Sequence, residues 1–302
     1  MTRLIAPLRC LLLVLLATAN LAVAQDSSLL MWEARAGAKT AYLFGTIHVG
    51  RPDMYPLPKS VDDAFRRSNA VALEADITDE QAVAAAMQIG MLPKGRTLEG
   101  ELPAELAARL QRTLAASGIP AEALQSFKPY MAMLLLVATE YGKLGYSPVL
   151  GLDRHFAERA KTEAKPIISL ESLSGQMRMM DGLSQSLQQS MLRMTLDDIA
   201  SGKVAPMAKH LVSAWREGDA KSVHDLLASE SKRLPAALAA EFQDKFLTGR
   251  NRVMLAGAKK ALTEVDTLFV AVGAMHLIGP GSLTELFEQA GYSLTRVRGS
   301  GG

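Results

Sequence analysis

Cysteine is almost missing from this chain: one residue, Cys10, among 302. It precedes an apolar stretch instead of ending it, so a lipid-anchored cysteine is not expected. Everything after Cys10 is free of thiols, which excludes disulfides, thiolate metal sites and a cysteine nucleophile. Any metal must therefore be held by His, Asp, Glu or Met. An excess of one charge is also lacking, with 33 basic and 31 acidic residues. Arg3 and Arg9 lie ahead of the apolar stretch, and without them the balance is 31 against 31. No nucleic-acid partner is expected. A Gly-x-Ser-x-Gly elbow is absent, so Ser-His-Asp chemistry has no support. Long apolar runs are missing too. Leu11 to Val23 falls short of the about 20 residues of a spanning helix, and Met131 to Ala138 is shorter still and is expected to be a buried helix. No low-complexity tract or long linker precedes the Gly-Ser-Gly-Gly end.

The first residues carry their own signature. A positive start, an apolar middle and Ala22-Val23-Ala24 before Gln25 form the pattern of an export signal cut near residue 24. An uncleaved N-terminal anchor is the alternative. Residues 1–24 are thus expected to be a signal and 25–302 one domain, periplasmic or secreted, with no membrane span after cleavage. That length is ample for one large core and short for two domains with a linker.

Two stretches repeat one design. Tyr42-Leu43-Phe44-Gly45-Thr46-Ile47-His48 and Leu268-Phe269-Val270-Ala271-Val272-Gly273-Ala274-Met275-His276 each run an apolar strand into Gly-x-x-His. A single histidine beside a strand reads as a hydrogen-bonded structural residue. Two at strand ends suggest imidazoles brought together, where open α/β sheets gather their sites. Each motif is followed by a Pro-containing loop, a helix and a strand. After His48 come helix Lys59–Ser68 and strand Ala70–Glu74; after His276 come Ser282 as helix cap, helix Leu283–Gln289 and strand Tyr292–Val297. Leu29–Ala34 and the His48 strand are expected to form an antiparallel hairpin. The fold class expected is α+β: a central mixed sheet from these N- and C-terminal units, with large helical insertions between them.

The insertions read as amphipathic helices from Asp79 to Tyr146 and from 172 to 262, with Pro93, Pro103, Gly118-Ile119-Pro120, Lys128-Pro129, Pro206, Gly218 and Pro235 as joints. Between them lie a helix from Gly151 to Ala164 and a strand, Pro166–Glu171. Glu74 and Glu171 each end an apolar strand, a costly place for a carboxylate unless it is paired, hydrogen-bonded or metal-bound. Two imidazoles with one carboxylate make an open site for a divalent ion, and a second carboxylate would serve as general base for bound water. Salt bridges from Glu74 and Glu171 to Arg250 are the structural alternative. His155, His210 and His224 sit in helices among charged neighbours and are expected to face solvent. Met177-x-x-Met180 and Met191-x-x-Met194 are read as core filler, with Cu(I) binding the weaker alternative.

Taken in order, these residues resemble the TraB/GumN family, which includes PrgY and the animal Tiki peptidases. The resemblance rests on Tyr42 to Gly50, Leu73-Glu74, Lys128-Pro129-Tyr130, Gly151-Leu152-Asp153, Leu170-Glu171-Ser172 with Gln176, Arg250-Asn251, and Val272 to Pro280. Tyr130 departs from the family's usual tryptophan. The resemblance implies a fold similar to erythromycin esterases and haem-binding ChaN-like proteins. In the Tiki branch it implies a metal-dependent peptidase resting on the two Gly-x-x-His motifs and a glutamate, here His48, His276 and Glu74.

Three functions are expected in order. The first is an exported metal-dependent hydrolase acting on a peptide or other small substrate. There His48, His276 and Glu171 bind Mn, Co or Zn, Glu74 activates water, and Arg250 with Asn251 orients substrate; the roles of Glu74 and Glu171 are interchangeable at this level. The second is a non-catalytic protein that sequesters a peptide or haem-like ligand. The third is a metal-independent ester hydrolase with His48 as general base.

Overall fold

Period-two alternation builds the centre of the molecule. In the strand ending at Thr46, Ala41 and Leu43 pack to one side while Tyr42 and Phe44 pack to the other. A computed structural model describes residues 29–298, and the expected signal segment lies outside them. In chain order the elements are β1 (Met31–Ala36), β2 (Lys39–Thr46), α1 (Lys59–Arg67), β3 (Ala70–Leu73), α2 (Glu80–Ile89), α3 (Ala104–Ala116), α4 (Pro129–Lys143) and α5 (Leu152–Thr162). There follow β4 (Ile167–Ser169), α6 (Leu173–Asp181), α7 (Gln185–Ala200), α8 (Val204–Arg216), α9 (Ala220–Ser231) and α10 (Ala236–Phe242). The chain ends through α11 (Gly249–Glu264), β5 (Thr267–Gly273), α12 (Leu283–Gln289) and β6 (Ser293–Arg296). The architecture is α+β, as expected.

The strands form one mixed sheet in the order β4-β3-β5-β2-β1-β6. β1 and β2 make the expected antiparallel hairpin, and β2 lies parallel to β5 with Thr46 opposite Gly273. From β2 the chain passes through α1 to β3, beyond β5. From β5 it passes through α12 to β6, beyond β2. These parallel crossovers run in opposite directions, so a common hand sends them to opposite faces of the sheet. The core confirms this division. Val61, Ala64 and Phe65 of α1 join Phe44, Phe269 and Phe156 of α5 on one face. Leu283 and Phe287 of α12 join Leu43, Val270 and Met254 of α11 on the other. Aromatic packing ties the first face, with Phe156 and Phe269 ring centres 4.8 Å apart; such a pair adds about 0.5–1.5 kcal/mol beyond its burial.

A third core lies among the inserted helices and the turns that join them. Leu106, Leu110 and Leu114 repeat every fourth residue along α3 and pack with Leu136 of α4 and Leu192 of α7. Met177, Met180, Met191 and Met194 belong to this cluster, matching the core-filler reading. Two expectations change here. The α4 run is not fully buried, since Leu134 and Val137 are 37% and 36% exposed. Pro206 is no joint: it lies in the first turn of α8, where a proline removes no needed hydrogen bond. Among the described residues no helix is long and apolar enough to cross a membrane.

Candidate active site

Four strands deliver their C-terminal ends to one edge of the sheet, and each end carries a polar group. His48 follows β2, Glu74 follows β3, Glu171 follows β4 and His276 follows β5 in a short 3-10 turn. β2 and β5 are neighbours whose chains leave for opposite faces, and such a switch point opens a crevice. Gly273 lines it. A Cβ placed there would lie 3.0 Å from Glu74 Oε1, 3.4 Å from His48 Nε2 and 3.6 Å from His276 Cδ2. Both imidazoles and one carboxylate thus face a space the size of a methyl group.

Each ring is oriented from behind. His48 Nδ1 donates to Asp153 Oδ2 at 2.8 Å, and Thr46 Oγ1 donates to Asp153 Oδ1 at 2.8 Å. Asp153 stands in the first turn of α5, where the helix dipole favours a carboxylate. Gly151 allows this approach, because a Cβ there would collide with the His48 carbonyl. His276 Nδ1 is 2.7 Å from Asn251 Oδ1, and Asn251 Nδ2 donates to the Gly281 carbonyl at 2.8 Å. A carbonyl only accepts, so the amide must turn its oxygen to the ring. His276 Nδ1 is then the donor, and the Nε2 lone pair faces the crevice.

Arg250 supplies the central cation. Its Nη2 donates to Glu74 Oε2 and Glu171 Oε2, both at 2.7 Å, and its Nε donates to Glu171 Oε2 at 2.9 Å. Gln176 Nε2 lies 3.4 Å from Glu74 and 3.2 Å from Glu171. The salt bridges weighed from sequence therefore exist, and both carboxylates share one guanidinium. Glu74 Oε1 also accepts from the Gly273 N–H at 2.5 Å. Arg250 and Asn251 open α11 just after a π-turn, Gln243–Thr248, a distortion that re-aims the residues following it.

The electrostatics separate the two rings. The charge and hydrogen bond of Asp153 lift His48, whose side chain is two-thirds exposed, to about 9. Burial lowers His276 to about 4; Glu74 pulls it up, and repulsion from Arg250 and His48 adds to the lowering. Burial also opposes ionisation of Glu74, but His276, His48, Arg250 and the Gly273 N–H bring it down to about 2. Near neutrality His276 is uncharged, so His48, Arg250 and that N–H keep Glu74 ionised. His276 Nε2 and Glu74 Oε1 then stand 3.6 Å apart as two acceptors with no proton between them. Such a pair attracts a cation. Among the described residues, no three or more His, Cys, Asp or Glu side chains are drawn tightly enough to hold an ion as they stand. The donor types, the lone pair and the open space nonetheless suit one.

Of the six residues expected from sequence, His48, Glu74 and His276 meet at Gly273. Glu171 stands behind them on Arg250, and Asn251 is buried between His276 and Gly281. Asp153, Thr46, Gln176 and Gly273 carried no role in the sequence reading. Asp153 could have been found as an acidic residue at a helix start after glycine. His155 and His224 are less exposed than expected: the His155 ring packs at a tilt on Tyr55, centres 5.0 Å apart, and His224 is half-buried against Gly279, while His210 is exposed. The cluster opens into a cavity of about 270 Å³. His48, Glu74 and Arg250 form its polar side, Met177, Met180 and Phe246 its apolar side.

A switch-point crevice here holds two oriented imidazoles and an Arg-bound carboxylate pair, each imidazole carried by a Gly-x-x-His stretch. The TraB/PrgY/gumN family model matches residues 30–296, and the chain belongs to that family. Its relatives include the uncharacterized protein YbaP of Escherichia coli, 27% identical over 83% of this chain and 89% of YbaP. Metalloprotease TIKI1 of Danio rerio is 24% identical over 84% of this chain and 60% of its own length. The human TIKI1 metalloprotease is 24% identical over 84% of the chain and 59% of its own length. The chain thus spans about three-fifths of those animal proteins. No solved structure matches it significantly.

Proposed function

We propose that the chain is an exported metal-dependent hydrolase of peptide-like substrates. The observation that carries this reading is the facing pair of acceptors, His276 Nε2 and Glu74 Oε1 at 3.6 Å, beside His48 Nε2 and over the space that Gly273 leaves. Relatives named metalloprotease support the same class. His48 Nε2, His276 Nε2 and Glu74 Oε1 would hold a divalent ion, with Mn, Co and Zn all compatible with nitrogen and oxygen donors. The chemistry such an ion supplies when bound is Lewis-acid polarisation of a carbonyl and acidification of water.

The chain's own residues do the rest. Asp153 and Asn251 fix the two rings with Nε2 inward, as outer partners of ligating histidines do. Glu171 and Gln176 hold Arg250 in place, and its guanidinium stabilises negative charge developing on substrate. Of the two carboxylates, the position of Glu74 beside both imidazoles supports it as the donor. Glu171 acts through Arg250. Met177, Met180 and Phe246 give the cleft an apolar wall for substrate side chains.

Metal content and chelator-sensitive cleavage of a peptide library test this directly. Glu74→Gln should lose both metal and turnover. Glu171→Gln should keep the metal and lose turnover by about tenfold or more, as a loosened electrostatic stabiliser does. Wild-type protein that cleaves equally well in chelator, or that keeps its metal after Glu74→Gln, refutes the mechanism. One feature favours the sequestering alternative: Arg250 neutralises both carboxylates without an ion. That reading requires peptide binding without turnover, with affinity unchanged by Glu74→Gln. The ester-hydrolase reading predicts ester cleavage that chelator leaves unchanged, and like the metal reading it requires His48 Nε2 to lose the proton that Asp153 favours.

A further inference from the structure

A second and larger cavity, of about 740 Å³, lies behind the crevice, between α9, α10, the π-turn and the loop that follows His276. Its apolar side is made by Leu227, Leu234, Phe242 and Leu247; Lys232 is the charged side chain that lines it, and the His224 ring, 3.7 Å from Asp225, also borders it. No carboxylate lines it. Lys232 makes no ion pair among the described residues, although its neighbours Glu230 and Arg233 bond each other. The volume falls in the range of ligand-sized pockets, and beside the neutral Ser231, Gln243 and Thr248 the lining carries one cationic side chain and no anionic one.

Its wall is mechanically joined to the catalytic crevice. The loop Ile278–Gly281 is wedged between two cavity residues: a Cβ at Gly279 would lie 2.7 Å from the His224 ring, and one at Gly281 2.7 Å from Thr248 Cγ2. Both glycines have positive φ, 83° and 71°, so the loop reaches these contacts only without side chains. The Gly281 carbonyl holds Asn251, which holds His276. A molecule that displaces Thr248 or His224 therefore moves the group that sets the His276 tautomer.

We propose that this cavity binds an apolar molecule with one anionic head, such as a medium-chain carboxylate or the C-terminus of an apolar peptide. We further propose that its occupancy is transmitted to His276 through Gly281 and Asn251. The apolar body would lie on Leu227, Leu234, Phe242 and Leu247, with the head at Lys232. This site is distinct from the crevice, and its binding does not depend on the hydrolase reading.

Calorimetry with octanoate, octan-1-ol and octylamine compares the three heads on one chain length. Octanoate should bind at one site and octylamine about two- to fivefold more weakly, the ratio expected for a single exposed rim charge. Lys232→Glu, on an exposed side chain that does not threaten folding, should reverse that preference. Octylamine binding as well as octanoate, or an unchanged order in Lys232→Glu, overturns the site. A leucine tripeptide with a free C-terminus, compared with its amide, separates the sources: discrimination assigns a peptide terminus, whereas octanoate binding alone assigns a free acid. The His276 Nδ1–H proton resonance should shift on adding octanoate, and a resonance that stays put while octanoate binds overturns the coupling. Self-association through this face that octanoate does not reverse also overturns the proposal.

Discussion

Replacing Gly273 by alanine should empty the site while leaving the fold intact. The backbone there has φ −50° and ψ 134°, a conformation open to any residue, so alanine brings no strain. Removing a glycine stabilises by about 0.4–1 kcal/mol through the unfolded chain where the native backbone accepts the change. Against this, the new methyl would sit 3.0 Å from Glu74 Oε1 and 3.4 Å from His48 Nε2. Glu74 cannot retreat freely, because Gly273 N–H and Arg250 hold both of its oxygens. The two terms nearly cancel, so stability should change by no more than about 1 kcal/mol, a shift of about 2–4 °C in Tm for a chain of this size. The space for an ion disappears. Misplacement of reacting groups by about 1 Å costs about a hundredfold, and turnover should fall by at least that.

Thermal unfolding, metal analysis and peptide cleavage on one preparation check the three parts. A control sharpens the result. At Gly45 a Cβ would lie 3.1 Å from Ala274 Cα and 3.1 Å from Leu30 Cβ, away from the rings. Gly45→Ala should therefore destabilise by about 1–3 kcal/mol through overpacking and retain its metal. A Gly273→Ala protein that binds metal and turns over within about threefold of the wild type would refute the geometry on which the site rests.

Asp153→Asn should bring His48 from about 9 towards the ordinary histidine range in metal-free protein, read by histidine NMR titration; an unmoved value would mean that Asp153 is not the cause. Acid should remove two contributions in overlapping steps, while His48, raised to about 9, adds stability as pH falls towards the ordinary histidine value and offsets part of the first. His276 binds protons less readily folded than unfolded, so stability falls as pH drops from about 6.5 to about 4; Glu74 is also depressed, so stability falls further from its ordinary 4.5 to about 2. At about 1.4 kcal/mol per pH unit the His276 step is worth about 3 kcal/mol. Urea unfolding at pH 7 and pH 5 should show it, and His276→Gln should flatten the difference. Trp215→Phe removes the indole donor from the Gly45 carbonyl, a 2.7 Å bond, and should lower urea stability by about 1–3 kcal/mol. No loss would mean that water or another group takes that carbonyl.

What could be read from sequence was local. The Ser282 cap and the helix Leu283–Gln289 are where the pattern put them, because cap chemistry and a glycine stop act within a few residues. Strands β3 and β5 are continuous apolar runs, and both are buried on two faces. The repeated Gly-x-x-His was visible, and so was the possibility that Arg250 pairs with both glutamates. The partners of the two rings were less legible. Asp153 meets His48 across 105 positions, and Asn251 meets His276 because a π-turn aims the start of α11. Neither pairing leaves a spacing signal. His155 and His224 misled for the reverse reason: charged sequence neighbours suggested full exposure, and packing from Tyr55 and the Gly279 loop reduces it.

The two histidines are held in place by the core as much as by their own hydrogen bonds. Their separation depends on the β2–β5 register, with Thr46 opposite Gly273. That register is set by side chains on both faces: Tyr42 and Phe44 with Phe269 on one, and Leu43 with Leu268 and Val270 on the other. A slip of one residue would turn every one of these to the wrong face. Sliding His48 along β5 would therefore require exchanging two cores at once. An insertion between Ile47 and His48 leaves that register and the buried Thr46 and Ile47 in place and moves the ring. One added residue there should separate His48 from Asp153 and Glu74, with a loss of urea stability no larger than that of the His48–Asp153 bond, about 1–3 kcal/mol. If such an insertion kept its metal, the position of His48 would not be what the parallel pair of strands controls.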